Sequence, residues 1–99
     1  MGHQLTLLLF DDGTRMVAFD GEVMLEADDA ECWPGPHRTV NLMAAALSRQ
    51  TGTHVTSVSR QVSNDELRFL GLNPEDLITH DIDKVLHYDP ETGITLTKA

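Results

Sequence analysis

Apolar residues recur in two different rhythms along this chain, and the change of rhythm marks its layout. The first 26 residues hold three β-prone runs, "LTLLLF", "TRMVAF" and "EVMLEA", separated by Asp12-Gly13 and Asp20-Gly21. Asp-Gly between such runs is a strong hairpin signal, because both residues tolerate the positive φ of a type I′ turn. The pattern predicts a three-stranded antiparallel meander. Two-residue loops would set Leu8 opposite Val17, Leu9 opposite Met16, Val17 opposite Met24 and Met16 opposite Leu25. Leu5, Leu7, Leu9, Met16, Ala18, Val23 and Leu25 would then share one clean apolar face. The other face mixes Leu8, Phe10, Val17, Phe19 and Met24 with Thr6, Arg15, Glu22 and Glu26. A face of that kind is covered either by another part of the chain or by a second molecule, a homodimer partner included.

The rhythm turns helical after residue 38. Val40, Met43, Ala44 and Leu47 recur at i, i+3, i+4 and i+7, with Leu42, Ala45 and Ala46 widening the stripe. Thr39 is placed to cap the start and Gly52 to follow the end. The spacing predicts a central, largely buried helix. Burying Leu47 contributes roughly 1.5–3 kcal/mol by the usual area relation, so Leu47→Ala is expected among the most damaging changes.

Residues 53–63, "THVTSVSRQVS", satisfy two readings. Thr53, Val55, Thr56 and Val58 favour a strand, while Val55, Val58 and Val62 also sit at helical spacing. Ser63 and Glu66 form a capping box that opens a short helix through Leu67, Phe69 and Leu70, stopped near Gly71. Asn73, Pro74 and Asp76 mark a second short helix start. "DKVLHYDPETGITLTKA" reads as a hairpin turning at residues 89–93. The whole of residues 1–99 is thus expected to form a single α+β domain. Its parts are an N-terminal three-stranded antiparallel meander, a central buried helix, two short helices and a C-terminal β-hairpin.

Charge adds a division that hydropathy does not show. The chain has 16 acids against 7 Lys and Arg, a formal net charge of −9. Residues 11–31 hold eight acids and one Arg; residues 32–64 hold no acid but Arg38, Arg49 and Arg60; residues 65–99 hold eight acids and three bases. An acid-free middle is therefore flanked by two acidic segments. The total repels nucleic acid at long range and attracts basic surfaces. A lone cysteine, Cys32, cannot form an internal disulfide, which suits a reducing cytoplasm. No apolar run approaches a membrane span, and "MGHQLTLLLF" has no basic n-region, so a cytoplasmic protein without a membrane partner is expected. Gly2 and Thr6 match the N-myristoylation pattern, but Leu5 to Phe10 read as a strand.

Candidate chemistry is sparse. Cys32 and His37 flank a stiff "WPGP" loop, yet Glu31 beside the thiol would raise its pKa, and no oxyanion-hole element is evident. His80, Asp81, Asp83 and His87 lie close in sequence but match no metal-ligand spacing, and strand alternation would turn His80 away from the two aspartates. There is no phosphate-binding loop or nucleophile elbow. A non-enzymatic protein is expected, with no cofactor and no metal.

Two binding classes remain. From Leu47, "LSRQTGTHVTSVSRQVSN" (residues 47–64) resembles the helix-turn-helix of Lac-repressor-type transcription regulators. That resemblance implies Gly52 in the turn and Leu47 and Val58 at the helix-packing positions. It also implies that His54, Thr56, Ser57, Ser59 and Arg60 face DNA, with Arg49 near phosphate, so that residues 47–62 would bind nucleic acid. Ser48, Thr53 and Gln61 depart from the pattern, and the net charge opposes phosphate contact. The preferred expectation is a protein-binding module that presents carboxylates to a basic partner surface, such as an inhibitor or accessory factor of a phage or mobile element that mimics nucleic acid against host defence. Asp11, Asp12, Asp28, Asp29 and Glu31 are its candidate acidic contacts, joined by a second group at Asp81, Asp83, Asp89 and Glu91. Trp33 is either a lid on the core or an exposed anchor.

Overall fold

The computed structural model describes residues 2–27 and 35–98. Three strands follow one another, β1 (His3–Phe10), β2 (Arg15–Phe19) and β3 (Glu22–Ala27), and form the expected antiparallel meander. Helix α1 (Pro36–Thr51) then crosses back and delivers β4 (Val55–Val62) parallel to β1, giving the sheet order β3-β2-β1-β4. The chain continues through α2 (Asn64–Phe69), a 3-10 turn at Pro74–Asp76, α3 (Thr79–Val85) and a separate hairpin of β5 (Leu86–Asp89) and β6 (Gly93–Leu96). The fold class is α+β.

The two Asp-Gly turns behave differently. Asp20 and Gly21 both take positive φ, 51° and 87°, and close a two-residue loop in which Phe19 faces Glu22. The first turn is one residue longer. Phe10 N–H donates to Thr14 C=O at 3.0 Å, Gly13 N–H donates to Phe10 C=O at 3.1 Å, and Gly13 sits at φ 95°. That is a three-residue loop with a bulge, and the Asp12 carboxylate secures it by accepting from Thr14 N–H at 2.9 Å. Leu8 therefore faces Met16 and Leu7 faces Val17, one residue away from the expected register. A slip of one moves every side chain of a strand to the other face. Met16 and Ala18 accordingly leave the face of Leu5 and Leu7, and Val17 joins it. The register shift between Val17 and Ala18 leaves Met24 as the extra residue of β3, so Val17 meets Leu25 rather than Met24.

Each face of the sheet carries its own core. Leu5, Leu7, Val17 and Val55 pack with Val40 and Ala44 of α1. Leu8, Phe10, Met16 and Val62 pack with Leu67 and Leu70 of α2, Ile82 and Val85 of α3, and Leu86 and Leu96 of the hairpin. Of the face expected to be mixed, Leu8 and Phe10 thus belong to an interior surface covered by the chain's own C-terminal third, Val17 and Phe19 pack on the α1 side, and Met24 is exposed.

Helix α1 is a one-sided lid and not a central buried helix. Among its described side chains only Val40 and Ala44 are buried, Met43 and Leu47 lie at the margin of the core, and Leu42 is 62% exposed. Its cap is Gly35 and not Thr39, with Pro36 at the first position; the Thr39 hydroxyl instead donates to Gly35 C=O at 3.2 Å. The Ser63 cap forms as expected, accepting from Glu66 N–H at 3.1 Å. Residues 79–85 form α3 where the extended run of a hairpin was expected. Ile82, Val85 and Leu86 sit at i, i+3 and i+4, a helical spacing, and all three are buried.

Candidate functional site

Strand β4 occupies the stretch that the helix-turn-helix resemblance assigns to a recognition helix. Residues 55–62 are extended and paired with β1 from His3↔Val55 to Phe10↔Val62, so the second helix of a helix-turn-helix is not formed. Between the two periods that the valines satisfy, pairing with the largely buried strand β1 prevails. The six residues that would have faced DNA are dispersed. Arg49 is exposed near the end of α1 and His54 in the turn before β4; Thr56 and Ser59 are exposed on opposite faces of the strand. The Ser57 hydroxyl donates to Asn41 Oδ1, and Arg60 is clamped to both carboxylate oxygens of Glu66, at 2.7 and 3.3 Å.

Among the acidic candidates, Asp28, Asp29 and Glu31 lie outside the described residues, as do Cys32 and Trp33. Asp11 and Asp12 are exposed but serve the backbone locally. Asp11 Oδ2 accepts from Asn64 N–H at 3.0 Å, tying the first turn to the start of α2, and Asp12 closes its own loop. Asp81 and Asp83 are on α3 rather than on a strand. Among the described residues no group of three or more His, Cys, Asp or Glu converges to hold a metal ion.

What the fold does bring together is charge, by layer. Residues 35–54 on the α1 side contain no acid and carry Arg38 and Arg49. The opposite layer, residues 64–98, carries eight acids and three bases. Asp65 pairs with Arg68, and Asp81 lies 3.9 Å from Lys84. Glu75, Asp76, Asp83, Asp89 and Glu91 are exposed and form no ion pair among the described residues. Among the described residues the alternation of charge along the chain becomes an opposition of charge between α1 and the C-terminal layer.

A second constellation was invisible in the sequence. His3 Nδ1 lies 2.6 Å from Asp20 Oδ2, and Gln4 N–H donates to Asp20 Oδ1 at 2.9 Å. Burial pushes the Asp20 carboxyl up. The Gln4 N–H, the His3 ring and the Tyr88 hydroxyl outweigh that and hold it below its ordinary value. Tyr88 is raised, by burial first and then by the negative charge of Asp20. His3 and Tyr88 border a cavity of about 180 Å³ together with Gln4, Thr56 and Pro90. The carboxylate orients the imidazole through Nδ1, an arrangement that holds a proton at a fixed place. Asp20 had been accounted for as a turn residue, and nothing local links it to His3 or to Tyr88.

No protein-family model matches the chain, and neither the curated proteins nor the solved structures give a significant match. Among the described residues no helix is long and apolar enough to cross a membrane.

Proposed function

We propose that this protein acts by binding a protein partner with a basic surface, using the carboxylates of the layer formed by α2, α3 and the C-terminal hairpin. The observation that carries this reading is the segregation of charge: five unpaired, exposed carboxylates on one layer, and no acid in the helix on the other. Clustered charge in an exposed setting steers association and selects partners by sign, more than it supplies affinity. Asp11 and Asp12 lie on the loop tied to α2 and extend the same layer. An inhibitor or accessory factor that occupies a nucleic-acid-binding surface, of the kind a phage directs at host defence, is the specific form we favour.

The test is affinity capture from the native host at low salt, with identification of what is retained. Partner recovery should fall steeply between about 50 and 300 mM salt, as the Debye length shortens from roughly 14 to 6 Å. The double variant Asp83→Lys, Glu91→Lys should lose the partner while keeping the wild-type circular dichroism spectrum. Recovery that is indifferent to both salt and charge reversal would refute the reading.

A further inference from the structure

The sheet order β3-β2-β1-β4 leaves the outer edge of β4 unpaired among the described residues. His3 N–H donates to His54 C=O at 2.8 Å, which fixes the phase of the parallel ladder. Even-numbered residues of β4 turn their backbone groups toward β1, and odd-numbered ones turn theirs outward. At Val55 the outward N–H is taken by Ser48 Oγ at 2.8 Å. Ser57, Ser59 and Gln61 are left presenting N–H and C=O along the open edge. Sheets usually blunt such an edge with charged side chains, Pro, a bulge or a very short strand. Strand β4 is eight residues long, has no Pro and no bulge against β1, and its one charge, Arg60, is paired with Glu66.

Both faces of that edge are hollow at the same place. On the α1 side a cavity of about 100 Å³ is lined by Leu7, His37, Val40, Asn41, Ser57 and Ser59. On the hairpin side one of about 240 Å³ is lined by Gln4, Thr6, Arg60, Thr92, Gly93 and Ile94. Val58 and Ser59 border both. An incoming strand alternates its side chains between the two faces, so an edge with a pocket on each side matches that alternation. Among the described residues no carboxylate lines either cavity. The α1-side cavity lies against the first turn of a 16-residue helix, where the macrodipole favours negative charge, and His37 stands there.

We infer that β4 accepts an extended, acidic segment of another polypeptide as a fifth strand, with an acidic side chain of that segment beside His37. The open edge borders the acidic layer on its hairpin side, whereas the cavity beside His37 lies on the opposite layer, so His37→Glu tests this inference without altering the acidic layer.

Two blocked hexapeptides test it, one alternating threonine or valine with glutamate and the other carrying lysine in place of each glutamate. Titrated into the ¹⁵N-labelled protein, the glutamate peptide should shift the amides of Ser57, Ser59 and Gln61 and slow their hydrogen exchange. The lysine peptide should bind at least tenfold more weakly. Ser59→Pro removes an outward N–H without touching the ladder to β1 and should reduce glutamate-peptide affinity at least tenfold. His37→Glu leaves the strand intact and should reverse the preference between the peptides. Equal binding of the two peptides, or no perturbation of β4 by either, overturns the inference. So does concentration-dependent dimerisation with protection of the same three amides, which would make a second copy of the chain the occupant.

Discussion

The docking of the C-terminal hairpin onto the sheet can be measured through a single methyl group. Gly21 lies at φ 87°, and a Cβ built there falls 2.6 Å from Tyr88 Cβ and 3.5 Å from Leu86 Cδ2. An L-residue in the left-handed region costs about 1–2 kcal/mol by itself. Tyr88 Cβ is fixed to the backbone of β5 and cannot swing away, so Gly21→Ala must also push the hairpin off the turn. Overpacking of this kind adds about 1–3 kcal/mol. Gly52 provides the control: its φ is 72°, but nothing lies within 4 Å of its would-be Cβ. Gly52→Ala should therefore show the backbone cost alone, about 1–2 kcal/mol, and Gly21→Ala about 2–5 kcal/mol. Urea unfolding followed by far-UV circular dichroism gives both numbers, with the midpoint shifts compared at equal slope. Equal costs for the two variants would show that the hairpin does not press on the turn, and would refute the packing described for β5.

Two further outcomes follow from burial and charge. Met16 is fully buried beneath α2 and α3 while Leu47 is only partly covered, so Met16→Ala should cost about 2–5 kcal/mol and Leu47→Ala distinctly less in the same unfolding assay. Asp20 has a folded-state pKa below its ordinary 3.8, so the stability it contributes is present above that value and lost as pH falls through the lower one. Tyr88 is raised above 10.0, so its contribution is lost as pH climbs past 10. Asp20→Asn should flatten the acid limb of a stability–pH curve measured between pH 2 and 5, and an unchanged acid limb would remove Asp20 from the account.

Local chemistry made some of this fold legible and concealed the rest. Asp20-Gly21 was readable because both turn residues act within the turn itself. Asp12-Gly13 was misread by one residue because a two-residue and a three-residue loop place the same dipeptide between the same strands, and that slip reassigned Met16 and Ala18 to the wrong core. Residues 55–62 were ambiguous because valines at 55, 58 and 62 fit both periods; a strand 52 residues upstream settles the matter. Helix α3 carried its signal in Ile82, Val85 and Leu86, but the turn residues beyond it drew the whole segment into a hairpin. The charge layers were half visible: the acid-free stretch could be counted, whereas its position opposite the acidic segment is a property of the crossover. The His3, Asp20 and Tyr88 group joins three distant parts of the chain and had no local signature at all.

The crossover also sets the order of events during synthesis. Strand β1 buries five of its eight residues and occupies an inner position, but one of its two neighbours is β4, with His3 facing Val55. The meander's own pairings all lie within residues 5–27, so it can close before β4 emerges. Until β4 arrives, β1 remains an open edge, and its second face stays bare until Ile82 and Leu96 exist to cover it. Pairing over such separations is slow compared with hairpin closure, because loop-closure entropy is spent before the contact is gained. A ribosome stalled anywhere in the middle of this message would release a fragment with its stickiest strand exposed.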